Sequence, residues 1–162
     1  MLAAAKHVED RCDAVDLNLG CPQGIAKKGN YGSYLLKNGD LIVAMVRTLH
    51  ENLAVPVTVK IRCLDTEEAT LKLAKRIEEA GASILTVHGR TKEQKKEQIG
   101  PCNWTIIRKI KQSLSIPVFA NGGIETFSDV RSCLEFTGAD GVMSSEAVLE
   151  YAALYSGLEL KD

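Results

Sequence analysis

Apolar and polar positions along this chain alternate in two rhythms. Short β-branched runs read as strands, and longer stretches with apolar residues three and four apart read as helices. After a helix over Leu2 to Cys12, Val15, Leu17 and Leu19 alternate with Asp16 and Asn18 and predict a strand at Ala14 to Asn18. Gly20 to Gly32 reads as a glycine-rich loop carrying Lys27 and Lys28. Ser33 to Asn52 reads as one or two helical pieces, split near Asn38-Gly39-Asp40, with Asp40 as N-cap of the second. Val55 to Arg62 reads as a strand. Thr66 to Ala80 reads as an amphipathic helix, with Thr66 at its N-cap and Gly81 just past its end. A strand follows at Ser83 to His88, and then a polar loop at Glu93 to Gln98. The chain finishes with a helix at Trp104 to Ser113, a strand at Ile116 to Ala120, a helix at Ser128 to Phe136 capped by Ser128, and a strand at Asp140 to Ser144.

Strand and helix alternate without a hairpin signal, so the strands are expected to be parallel and joined by right-handed crossovers. Each strand ends in polar or glycine residues: Asn18-Leu-Gly-Cys21, Lys60-Ile-Arg62, His88-Gly-Arg90, Asn121-Gly-Gly123 and Ser144-Ser145-Glu146. A (β/α)8 barrel keeps its active site at that end of its strands. Five strands are counted, where such a barrel has eight in roughly 250 residues. Two architectures fit: an open α/β sheet, or part of a barrel whose other strands are expected before Met1.

Composition narrows the function classes. A hydrophobic share of 45% and a charged share of 25% are those of a soluble globular domain. The formal net charge of −1 gives no global positive field, so nucleic-acid binding has to rest on local basic clusters. No apolar run is long enough to span a bilayer, and MLAAAKHVEDRCDAVD lacks a secretory h-region. The five cysteines, Cys12, Cys21, Cys63, Cys102 and Cys133, are odd in number and form no CxxC pair. They read as reduced thiols of an intracellular protein, with no zinc site.

The candidate chemistry starts at Asp16 to Gln23, DLNLGCPQ, where a strand breaks at Gly20 and presents Cys21 before Pro22. On these residues alone Cys21 fits a buried filler, a metal ligand or a reagent. Lys60 and His88 both end strands, and an arginine follows each two residues on. A cation at the mouth of a parallel sheet is costly to desolvate unless it meets an anion or a polar ligand. Asn121-Gly122-Gly123-Ile124 lets backbone N–H groups approach a phosphate, and Ser144-Ser145 precedes the next helix start.

In this order and spacing, DLNLGCPQ, VTVKIR, LTVHGRT and IPVFANGGI resemble the tRNA-dihydrouridine synthases. GCPQGIAKKGNYGSYLL and HGRTKEQK are most similar to the eukaryotic branch that acts on adjacent uridines of the tRNA D-loop. The resemblance runs from about Cys12 to about Tyr155. It implies an α/β fold, a parallel (β/α)8 TIM barrel that is incomplete in this chain. Its first strands, which contribute a Pro-Met pair and a glutamine to the flavin site, and its C-terminal helical tRNA-binding domain lie outside the sequence. It also implies FMN as cofactor, NADPH as reductant, tRNA as partner, no membrane, and a cytoplasmic location with the nucleus as a second one.

The resemblance extends to single residues. Cys21 matches the catalytic cysteine that gives a proton to C5 of uracil while hydride from reduced FMN reaches C6. A thiol of ordinary pKa about 8.5 suits that task. Asn18 matches the residue on the uracil edge, Lys60 and His88 match contacts to the flavin ring, and Arg90 matches a position near substrate. Asn121, Gly122 and Gly123 match the loop that holds the FMN phosphate, and Lys27, Lys28 and Gly32 belong to a loop expected near tRNA. Many relatives close the last strand with Gly-Arg, whereas this chain has Ser144-Ser145-Glu146-Ala147. Backbone amides and the Ser145 hydroxyl are therefore expected at the phosphate, with Glu146 turned away. The other four cysteines read as core or surface thiols, Trp104 as a packing residue, and Lys92 to Gln98 as a solvated loop. Two other functions fit the same residues: a different FMN or phosphate-binding barrel reductase of a small molecule, and a non-catalytic barrel fragment that binds RNA or a partner.

Overall fold

The computed structural model describes residues 1–95 and 98–157. Five strands, β1 (Val15–Asn18), β2 (Val57–Arg62), β3 (Ile84–His88), β4 (Val118–Asn121) and β5 (Gly141–Met143), form one sheet in the order β1-β2-β3-β4-β5. Every neighbouring pair is parallel. A doubly wound sheet reverses its strand order and places helices on both faces. Here no reversal occurs, so right-handed crossovers bring the connecting helices to one face. The helices α3 (Gly39–Asn52), α4 (Glu67–Glu79), α5 (Trp104–Ser113) and α6 (Phe127–Thr137) touch one another in that order. This is the singly wound wall of a (β/α)8 barrel, with five of its strands in this chain.

The register separates core from site. Leu17, Val59, Leu85 and Val118 are side by side across the sheet, and Val59, Leu85 and Val118 are fully buried on the helix side. Against them pack Ile42 and Val46 of α3, Leu73 and Ile77 of α4, and Ile106 and Ile110 of α5. Each of these pairs is three or four residues apart, the spacing of one helical face. The alternate residues point the other way. One inner row reads Asn18, Lys60, Thr86, Phe119, Gly141, and the next reads Arg62, His88, Asn121, Met143. The strands are thus apolar toward the helices; their inner face carries the polar and cationic side chains, with Phe119 and Met143 among them.

Several element boundaries differ from the sequence reading. The first helix stops early, as α1 (Leu2–Lys6) followed by a 3-10 turn at Glu9–Arg11. The loop from Gly20 to Gly32 contains a helix, α2 (Gly24–Gly29), closed by Asn30 in the left-handed region at φ 51°. A 3-10 turn at Gly32–Lys37 follows it. The N-cap of α3 is Asn38 rather than Asp40: Asn38 Oδ1 accepts from Leu41 N, and Asp40 pairs with Arg76 instead. Thr126, not Ser128, caps α6, in a capping box closed by Asp129. Thr66 caps α4 as expected. The last helix is the short α7 (Ala147–Glu150). Lys96 and Glu97 of the polar loop lie outside the described residues.

Candidate functional site

The C-terminal ends of all five strands open on one side, where the ends of β2 to β5 and the loops after β3, β4 and β5 surround a cavity of about 480 Å³. His88, Arg90, Asn121, Gly122, Gly123, Ser144 and Ser145 line it together. Arg62, which the sequence reading left without a role, lines it too. Beside it, the Lys60 ammonium and the Asn18 amide flank Gly20, where an added Cβ would stand 3.0 Å from Lys60 Nζ and 3.3 Å from Asn18 Oδ1. Cys21 follows immediately in the same loop. Lys27 is elsewhere, exposed on α2.

Positive charge gathers at the ends of β2 and β3, in Lys60, Arg62 and Arg90, while Glu125, Glu146 and Glu150 line the cavity on the β4 and β5 side. Among the described residues no carboxylate pairs with Lys60, Arg62 or Arg90. Burial, and then the neighbouring Arg62, push the Lys60 ammonium below the usual lysine range. Burial, with Arg62, Lys60 and Arg90 adding to it, pushes His88 down to about 3. The imidazole is therefore neutral, and its Nε2 is buried without a hydrogen-bond partner. An orphaned buried polar atom costs free energy that a ligand can restore.

This has a measurable consequence in the ligand-free protein. The unfolded chain binds a proton on this histidine near pH 6.5, but the folded chain does not until about pH 3. Stability is therefore lost as pH falls from about 6.5 toward 3. His88→Gln is expected to flatten this decline, and comparing thermal midpoints between pH 7 and 5 checks it. Parallel curves for parent and variant would remove His88 from the pH dependence.

Glycines shape the far wall. Gly122 and Gly123 both hold positive φ, 97° and 72°. A Cβ on Gly122 would stand 2.7 and 2.8 Å from His88 ring atoms, and 3.0 Å from Cys102 Sγ. Trp104 Nε1 donates to Gly122 O at 3.0 Å, so the residue expected only to pack also braces this turn. Asn121 Nδ2 donates to Met143 O, and Ser144 Oγ donates to Ile124 O, which ties β5 to the same turn. The Ser144 hydroxyl proton is committed there, while Ser145 is exposed beside it. Glu146, expected to be turned away, instead lines the cavity together with Glu125 and Glu150.

The other thiols are of a different kind. Burial pushes Cys63 up to about 12 and Cys133 up to about 11, and it raises Cys102 as well. These three are protonated at neutral pH, poor nucleophiles and poor metal ligands. Among the described residues no group of three His, Cys, Asp or Glu side chains is placed to hold a metal ion, and no helix is long and apolar enough to cross a membrane.

The dihydrouridine synthase profile matches residues 1–159 of the chain. The chain belongs to the dihydrouridine synthase family. Similar family proteins include the tRNA-dihydrouridine(16/17) synthase of Saccharomyces cerevisiae, whose full name carries NAD(P)(+). It is 55% identical over 92% of this chain and 36% of its own length. The corresponding protein of Mus musculus, named as "-like", is 49% identical over 95% of this chain and 32% of its own length. The chain thus spans about a third of the relatives it matches. Among solved structures, a phosphonopyruvate hydrolase superimposes at a TM-score of 0.72, covering 97% of this chain at 13% identity. That likeness is one of fold alone.

Two features of this site were not anticipated: Arg62, and the bracing of the Cys21 loop. Arg62 is buried, with Nε donating to Gly20 O at 2.8 Å and Nη1 to Thr91 O at 2.9 Å. It ties the loop after β1 to the loop after β3. Its place at the end of a β-branched strand was the available signal.

Proposed function

We propose that the protein reduces uridine to 5,6-dihydrouridine in the D-loop of tRNA, with FMN as cofactor and NADPH or NADH as reductant. The single observation that carries this is that His88 and Asn121-Gly122-Gly123 line one cavity at the strand ends of a dihydrouridine synthase fold, with Lys60 and the Cys21 loop held beside it through Gly20 and Arg62. The site fits a flavin mononucleotide. Lys60 and Arg90, which pair with no carboxylate among the described residues, suit an anionic ligand, the orphaned His88 Nε2 suits a polar ring edge, and the Gly122-Gly123 turn borders the cavity, where its backbone suits a phosphate. When bound, FMN supplies the hydride that reaches C6 of the uracil ring.

The chain's own residues do the rest. Lys60 offers a desolvated ammonium to the negative edge of the ring. Asn18 Oδ1 accepts from Gly20 N at 2.9 Å, which orients the amide and turns its N–H donors toward a uracil carbonyl. Cys21 delivers the proton to C5 from the loop after β1, beside the cavity. The target base is stacked in folded RNA and has to be extruded to reach this mouth.

The test uses the full-length protein. Flavin absorbance after purification, and dihydrouridine made from an unmodified tRNA transcript with NADPH, are both expected. A protein that never binds FMN overturns the reading. One that binds FMN and reduces small molecules but not tRNA supports the small-molecule reductase instead.

A further inference from the structure

The loop that carries Cys21 is gripped at three consecutive carbonyls. Arg62 Nε donates to Gly20 O at 2.8 Å. Ser33 donates twice to Cys21 O, from its backbone N–H at 3.0 Å and from Oγ at 2.8 Å. Tyr34 Oη and Lys95 Nζ converge on Pro22 O at 3.1 and 2.7 Å. Carbonyls of an active-site loop are ordinarily left to water. Here Ser33 is fully buried, so its hydroxyl has exchanged water for this one acceptor. Gly32, before it, holds φ 61°, and a Cβ there would stand 2.7 Å from Cys21 O and 2.9 Å from Cys21 Cβ. The chain passes under the cysteine as closely as backbone allows.

This contact fixes a direction. The Cα–Cβ bond of Cys21 follows from its backbone torsions. Pro22 confines the preceding residue to extended conformations, and two hydrogen bonds to the Cys21 carbonyl remove what freedom remains in ψ. Resting on the reading of Cys21 as proton donor, we propose that Ser33, assisted by Tyr34, is a positioning residue that aims the Cys21 thiol. Neither side chain needs to touch substrate. A reacting group has to be held within roughly 0.5 Å of its productive place, and a misplacement of about 1 Å costs on the order of 100-fold in rate.

The experiment compares Ser33→Ala, Tyr34→Phe and Cys21→Ala in the full-length protein. Flavin content and thermal midpoint establish that each is folded. Ser33→Ala keeps the backbone donor but loses the hydroxyl, and kcat for dihydrouridine formation is expected to fall at least about tenfold. KM for tRNA and the rate of flavin reduction by NADPH are expected to stay at parent values. Tyr34→Phe, which removes one oxygen from a partly exposed ring, is expected to give the same split with a smaller loss. It keeps the test open should Ser33→Ala not fold. Parent kcat in Ser33→Ala, or in Tyr34→Phe where Ser33→Ala is unfolded, beside an inactive Cys21→Ala overturns the positioning role alone. A loss shared equally by flavin reduction marks general damage and overturns it too. Parent turnover in Cys21→Ala overturns the donor reading beneath it.

Discussion

Cys21→Ala in the full-length protein is expected to stop dihydrouridine formation while leaving FMN in place. Loss of a positioned general acid costs typically 100- to 10,000-fold, and the other thiols are poor substitutes: Cys12 precedes β1, at the opposite end of that strand from Cys21. Cys63 and Cys133 are held near 12 and 11 by burial, and Cys102 is raised as well. The substitution removes only the sulfur. The contacts that hold this loop run to backbone carbonyls, so they survive it. The cavity wall around His88 and Gly122 does not include Cys21, so flavin retention should not change. Mass spectrometry of tRNA nucleosides, with flavin absorbance on the same sample, checks both halves. Product formation at the parent rate would remove Cys21 from the chemistry.

Gly122→Ala is expected to be the most damaging change in the cofactor wall. A φ of 97° is poor for alanine, at about 1–2 kcal/mol. The new methyl also meets the His88 ring and Cys102 Sγ. Neither can retreat easily. The Cys102 thiol already donates to Asn121 O and stands close against Gly89, where a Cβ would be 2.6 Å from it. Overpacking of this kind adds about 1–3 kcal/mol. A loss of about 3 kcal/mol in unfolding free energy and at least tenfold weaker FMN binding are expected, read by denaturant titration and flavin fluorescence. Gly138→Ala is the control. Gly138 also holds a positive φ, 67°, but nothing lies within 4 Å of its Cβ position, so only the conformational cost should appear. Equal effects at the two glycines would mean that the contact with His88 carries no weight.

The sheet was legible because β-branched runs such as Val57-Thr-Val59 cannot easily be anything else. The chemistry at its ends was legible because cations there contradict the burial around them. What the sequence hid is local or distant by turns. Gly24–Gly29 looked like loop because two glycines frame the helix, and only the αL turn at Asn30 closes it. Asn38 and Asp40 are both good caps, and register decided between them. Thr126-Phe-Ser-Asp129 did hold a signal, a capping box with Asp in place of Glu, which an eye fixed on Ser128 passes over. The bracing of Cys21 is of the distant sort. Lys95 reaches Pro22 across 73 positions, and an acceptor that is only a backbone carbonyl leaves no mark in the sequence.

The unreversed strand order bears on how the chain acquires its shape. Every pair in the sheet is made by strands that follow one another along the chain, joined by one crossover, which between β1 and β2 holds α2 and a 3-10 turn as well as α3. No strand has to wait for a segment two or three units away. The entropy of loop closure is therefore met one crossover at a time, the longest between β1 and β2, and contact order stays low for a parallel sheet. Assembly can extend by one βαβ unit at a time, each new helix closing on the helix before it.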